Sequence, residues 1–147
     1  MSDLDDFLAE VLPRQLVAVE AFHNGDPGPQ LAMSSAQDSV TVFGASGVSK
    51  SGWDEVSQTF HWLASRFSDC TTQSFDLLAA GVSGDLAYTV GLEHAAHSRD
   101  DVPEGPYTVR VTHIYRREDG EWKIVHRHGD RTPIDHRLPA GPPTRQA

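Results

Sequence analysis

Apolar residues recur at spacings of three and four in the first half of the chain and at every second position in the last half. Leu8, Val11, Leu12, Leu16, Val19 and Phe22 lie on one stripe and predict a helix over residues 5–23. Pro13 falls inside that stripe, which predicts a kink or a helix that starts properly near the proline. Asn24-Gly25 offers a left-handed stop, and Asp26 can cap a second helix running from Pro27 or Pro29 to about residue 36, carrying Leu31 and Met33.

Val40-Thr41-Val42-Phe43 reads as a short strand closed by the loop at residues 44–47. A third helix is expected over residues 52–67, with Ser51 as a possible cap and Trp53, Val56, Phe60, Leu63 and Phe67 as its buried stripe. His61 sits beside that stripe as a partly exposed helix residue. From Thr71 the period becomes two, and strands are expected near residues 72–81, 86–97, 107–117 and 121–130. Helices followed by consecutive antiparallel strands define an α+β domain with its helices on one side of a single sheet. Residues 131–147 hold Pro133, Pro139, Pro142 and Pro143 and read as a Pro-rich flexible C-terminal tail beyond a domain at 1–130.

A length of 147 residues suits one domain with a real core. A formal net charge of −9 argues against nucleic acid as a partner, which needs a basic face to displace counterions. Cys70 is the only cysteine, so no intrachain disulfide forms, and without an activating base it is read as packing. The acidic start, Ser2-Asp3-Leu4-Asp5-Asp6, is the opposite of a signal peptide, and no apolar run approaches the roughly 20 residues that span a bilayer. No membrane partner is expected, and the location expected is cytoplasmic.

Three segments carry a family resemblance: Leu16-Val17 followed by residues 20–26 (E-A-F-H-N-G-D), the strand V-T-V-F at 40–43, and Y-R-R-E-D-G-E-W-K-I-V-H-R-H at 115–128. They resemble the association domain of calcium/calmodulin-dependent protein kinase II and bacterial SnoaL-like proteins, all of the nuclear transport factor 2-like superfamily. The resemblance runs from about Leu16 to Asp130, and with no kinase domain ahead of it the expectation is a stand-alone module. It implies a cystatin-like cone: three N-terminal helices on a strongly curved antiparallel sheet enclosing a pocket, with dimers formed through the sheet. Relatives range from ketosteroid isomerase, scytalone dehydratase and polyketide cyclases to pure assembly modules, so the fold alone leaves function open. The kinase association domain carries cavity arginines at positions matching Val90, His113 and Gly129; none is arginine here, which puts an anion pocket of that kind in doubt.

Five histidines lie on the expected strands: His94, His97, His113, His126 and His128. His126 and His128 share a face because strand side chains alternate. What faces them depends on the turn at Asp119-Gly120. A two-residue type I′ turn pairs Tyr115 with Ile124, His113 with His126 and Val111 with His128. A three-residue loop with a bulge shifts the pairing by one. His113, Tyr115 and Arg127 then aim into the cavity, and His126 and His128 join Arg110 and Thr112 on the outer face. The apolar pattern favours the first pairing and the resemblance the second, to which the reading leans.

Metal binding by the H-x-H pair lacks a placed carboxylate to orient it and ranks below hydrogen-bonded structural histidines, so no metal or other cofactor is expected. Acid–base chemistry would fall to His113 or His94 as base and to Tyr88 or Tyr115 as oxyanion donor, with Glu20 at the edge of the first stripe as a second base. Each has a plain alternative as an exposed or wall residue. Trp53, Phe60, Tyr88, His94, Val111 and Arg127 are the expected ligand-contacting residues. Arg110, Trp122, His126 and His128 form a dimer face or an alternative pocket. Two readings remain: a cavity for a small, largely hydrophobic molecule, with cofactor-free isomerase, dehydratase or cyclase chemistry, and a non-catalytic dimerisation module.

Overall fold

A computed structural model describes residues 2–37 and 39–131 of the chain. Helix α1 spans Asp3–His23. It starts earlier than its periodicity predicts because Ser2 and Asp5 close a capping box, with Ser2 Oγ accepting from the Asp5 N–H at 3.1 Å. It also continues through Pro13. The proline is exposed, while Phe7, Val11, Gln15, Ala18 and Val19 hold both halves of the helix on the sheet. The buried stripe is therefore rotated from the expected one, and Leu16 lies 41% exposed.

Helix α2 spans Gly28–Met33, with the Asp26 carboxylate accepting from the Gly28 N–H at 2.9 Å. Helix α3 spans Trp53–Ala64. Its N-cap is Gly52 at φ 87°, a conformation glycine reaches without strain, rather than Ser51.

Six strands follow the order β2-β1-β6-β5-β4-β3 in one curved, unclosed sheet. They are β1 (Thr41–Phe43), β2 (Ser49–Ser51), β3 (Phe67–Ser83), β4 (Leu86–Arg99), β5 (Val102–Glu118) and β6 (Glu121–Asp130). β2, which lies between the loop expected at 44–47 and the third helix, is polar and wholly exposed. The β1–β6 pairing is parallel; the others are antiparallel. Residues 98–106, between the strands expected at 86–97 and 107–117, extend both strands around a tight turn at Asp100-Asp101, both at positive φ. Residues 132–147, read as a tail, lie outside the described residues.

The hairpin β5–β6 keeps the first pairing considered from sequence near its turn and follows neither beyond Tyr115. Asp119 (φ 51°) and Gly120 (φ 77°) form a two-residue turn closed by Glu118↔Glu121, and the first pairing holds as far as Tyr115↔Ile124. Val125 is then an extra residue: beyond it Ile114 pairs with His126, His113 with Arg127 and Thr112 with His128. A mid-strand bulge reverses which parity points inward. Trp122 and Ile124 thus face the helices, Arg127 and Gly129 also face inward, and His126 and His128 face out. This bulge, five residues beyond the turn, gives the outward His126 and His128 and the inward Arg127 expected of a bulged turn, but His113 and Tyr115 do not reach the cavity wall.

Two apolar clusters fill the space between helices and sheet. Phe7, Val11, Ala18, Met33, Ala87, Tyr115, Trp122 and Ile124 form one, in which the Phe7 ring meets those of Tyr115 and Trp122 edge-on at 5.1 Å. Val40, Val42, Val56 and Phe60 form the other, with Phe22, Leu31, Val48 and Trp53 packed against it. Between the second cluster and the concave sheet the packing leaves a cavity.

Candidate functional site

The cavity measures about 210 Å³. Its apolar wall comes from Val19 and Phe22 of α1, Phe60 and Leu63 of α3, Val42 and Val48 of the first hairpin, and Phe67, Ala95 and Val109 of the long strands. Phe22 meets Phe60 and Phe67 at ring distances of 5.8 Å each, making an aromatic corner. A volume this size lies below the 300–1,000 Å³ typical of drug-sized ligand sites, so the space suits a small molecule.

At its inner end lies a buried ion pair. Glu93 of β4 is 3% exposed and accepts from both terminal nitrogens of Arg127 of β6, each at 2.9 Å. Burial pushes the Glu93 carboxyl up, but the Arg127 guanidinium more than reverses this and holds it below the usual carboxylate range. Burial likewise opposes the charge on Arg127, and Glu93 more than restores it. Gly129 lies beside the guanidinium; a Cβ there would come within 3.1 Å of Val109 Cγ1 and 3.5 Å of Arg127 Nη2. Glycine at that position spares Val109 a tight contact while the guanidinium lies alongside.

Arg127 also donates to His113 Nε2 at 3.1 Å. His113 is therefore a neutral imidazole protonated on Nδ1, and burial first, then Arg127, lowers its pKa to about 3. It is 1% exposed and sits behind the guanidinium, outside the cavity wall.

Two further histidines complete the interior. His23 lines the cavity, and its Nδ1 meets Gln73 Oε1 at 3.0 Å. Because the amide oxygen can only accept, Nδ1 carries the proton and Nε2 is left as an acceptor, with no partner among the described residues. Burial, then His97, lowers its pKa to about 4. The two rings stack at 4.2 Å. His97 donates from Nδ1 to the Ser98 carbonyl at 3.0 Å and accepts at Nε2 from the Tyr107 hydroxyl. Arginines surround the outer end: Arg66 pairs with Asp100, while Arg99 and Arg131 share Glu104, and Arg131 lies 3.5 Å over the Tyr107 ring.

Of the expected site residues, Phe60 and Arg127 line the cavity. Glu20 is exposed on α1 because the buried stripe is rotated away from it. Tyr115 is fully buried against Phe7, and burial raises its pKa, so it meets no ligand in the cavity. Trp53 packs on the second cluster without reaching the wall, and Val111 is buried outside it. Tyr88 and His94 sit on the convex face by strand parity. Tyr88 is 45% exposed, and His94 bridges Asp76 and Thr108. Arg110 bonds Asp130 there through two nitrogens, and His126 meets Thr41 Oγ1 at 2.7 Å. His128 shares that face and packs edge-on with Phe43 at 5.3 Å. Trp122 leaves this group; the bulge at Val125 turns it into the core. No group of three or more potential metal ligands occurs among the described residues.

Sequence reasoning missed Glu93, His23, Tyr107 and the outer arginines as a set. One signal was available. In β4, Ala87, Thr89, Gly91, Glu93, Ala95 and His97 share one parity of small and apolar residues, and a carboxylate on that face demands a buried cationic partner.

The SnoaL-like domain family matches residues 17–133. Among solved structures, a candidate scytalone dehydratase from Novosphingobium aromaticivorans superposes with a TM-score of 0.70 at 17% identity, covering 97% of this chain and 95% of that one. A candidate dehydratase of the nuclear transport factor 2-like family from Streptomyces avermitilis gives 0.69 at 18%, covering 88% and 99%. A candidate calcium/calmodulin-dependent protein kinase type II association domain from Thiobacillus denitrificans gives 0.66 at 14%, covering 84% and 96%. At these identities the likeness is one of fold. No curated protein sequence matches the chain. No helix among the described residues is long and apolar enough to cross a membrane. With a family match over most of its length and neighbours that share its cone, the chain belongs to the SnoaL-like domain family of the nuclear transport factor 2-like fold.

Proposed function

We propose that this domain binds a small, largely hydrophobic molecule in the cavity between α1, α3 and the concave sheet. One observation carries the reading: an aromatic and aliphatic enclosure of about 210 Å³ ends on a buried, charged Glu93–Arg127 pair. Burying that pair is costly unless its hydrogen bonds are met, and a ligand oxygen reaching the guanidinium's remaining N–H groups would add to them. Thermal-shift screening against small ring compounds tests this, with Ala95→Phe as a variant that fills the space. Stabilisation of the parent but not of a folded Ala95→Phe protein supports the reading. Equal shifts in both proteins would sink it.

Isomerase, dehydratase or cyclase chemistry in this cavity falls to His23 rather than to His113, Tyr115 or Glu20. His23 is the wall histidine with an available Nε2, and Tyr107 reaches the same end of the cavity through His97. With a pKa near 4, His23 is neutral at pH 7 and serves best as a hydrogen-bond acceptor or a weak base.

A homodimer through the convex face is a second reading with its own support. Tyr88 and Ile114 on the paired strands β4 and β5, and Phe43 on β1 beyond β6, leave apolar surface, 45%, 39% and 43% exposed. Light scattering at micromolar concentration reports it. A monomer there rejects the dimer and leaves the cavity proposal standing.

A further inference from the structure

We propose that the cavity's ligand is a small aromatic carboxylic acid that carries a hydroxyl group, a refinement that rests on the cavity being the binding site. The aromatic part follows from Phe22, Phe60 and Phe67, whose rings present edges and faces to the same space.

The carboxylate follows from charge. Although the chain carries −9, four guanidiniums line this cavity (Arg66, Arg99, Arg127 and Arg131) against two carboxylates, Glu93 and Glu104. Asp100, outside the wall, takes Arg66. Glu93 takes Arg127, which leaves Glu104 alone between Arg99 and Arg131. Asp69 and Asp101 are exposed and outside the wall. Among the described residues the outer end therefore holds one guanidinium more than its carboxylates. Arg99 meets Glu104 through Nε at 3.0 Å and Arg131 through a terminal nitrogen at 2.6 Å. A planar carboxylate is an anion that the remaining paired N–H groups of an arginine can hold through two parallel hydrogen bonds.

The hydroxyl follows from His23. With Nδ1 committed to Gln73, Nε2 can only accept at neutral pH, so its complement is an O–H or N–H. Glu93 neutralises Arg127, so the ligand's charge is met at the outer end, and its hydroxyl at the histidine.

Isothermal titration calorimetry on the full chain tests this with 4-hydroxybenzoate, 4-coumarate, benzoate and methyl 4-hydroxybenzoate. The hydroxy acids are expected to bind at least tenfold tighter than the methyl ester, and that preference should shrink in high salt. Arg99→Gln and Arg131→Gln should each erase it by weakening acid binding far more than ester binding, and Arg99→Lys should restore part of it. His23→Phe should remove the advantage of 4-hydroxybenzoate over benzoate. Ester binding as tight as acid binding overturns the acid assignment while leaving the cavity reading intact. Binding by none of the four, in protein shown to be folded, overturns both.

Discussion

Glu93 and Arg127 meet through two hydrogen bonds of 2.9 Å across the intervening strand β5. Neither residue lies on a strand adjacent to the other's. The pair thus ties β4 to β6 over β5 at the inner end of the cavity, and its two charges have left bulk water together.

Removing one member strands the other. Glu93→Leu and Arg127→Met should each cost about 3–5 kcal/mol, the usual penalty for an uncompensated buried charge. The double variant Glu93→Leu/Arg127→Met should recover most of that loss, since a matched apolar replacement restores burial without the unpaired charge. Urea denaturation of the four proteins in a double-mutant cycle gives the coupling. Strictly additive losses would contradict it.

Acid should weaken the fold well before the general carboxylate range. His23 and His113 are held neutral in the folded state, with pKa values of about 4 and about 3, below the ordinary histidine value of 6.5. The unfolded chain takes up protons first as pH falls, so stability drops through the window from about 6.5 to about 4. His23 alone accounts for a loss on the order of 3 kcal/mol. The lowered pKa of Glu93 acts in the same direction below about 4.5, because protonating it breaks the pair with Arg127. Denaturation midpoints for the parent and for His23→Phe between pH 8 and 4 should diverge in slope. Parallel profiles would count against a buried neutral His23.

Tyr115 offers a direct check on the placement of the chemistry. Its hydroxyl is buried with no geometric hydrogen-bond partner among the described residues, and its ring packs on Phe7. Tyr115→Phe should leave stability equal or slightly higher, because an unmet polar group is removed without changing shape. Any ligand binding or turnover should be unchanged. A loss of activity in this variant would return Tyr115 to the site.

Trp122 reports the bulge. Its ring is 3% exposed between Phe7 and the guanidinium of Arg117, which lies 4.5 Å over it. Trp122→Ala should cost roughly 3–5 kcal/mol, as large-to-small changes in cores do. A change under 1 kcal/mol would place the tryptophan on an outer face instead.

Much of the cone was legible in the sequence, because amphipathic spacing and the switch to period two are both direct consequences of one-sided burial. The helix stripes were read a residue out of phase in α1, where Gln15 is buried and Leu16 is not. Periodicity reports an average apolar face, and a buried glutamine breaks it. The site was less legible. A bulge at Val125 carries no sequence mark comparable to Asp119-Gly120, yet it decides that Arg127 points inward while Trp122 does too. His23 and Glu93 become neighbours of one cavity only through the packing of α1 on β4, a relation that no local spacing encodes.

Amide chemical-shift mapping during titration with 4-hydroxybenzoate and its methyl ester tests the cavity claim most directly. Saturable shifts centred on Phe60, Ala95, Val109 and Arg127, with Tyr88, Ile114 and His128 unmoved, are the predicted result. Shifts confined to the convex face, or none with either compound in a well-dispersed spectrum, would contradict it.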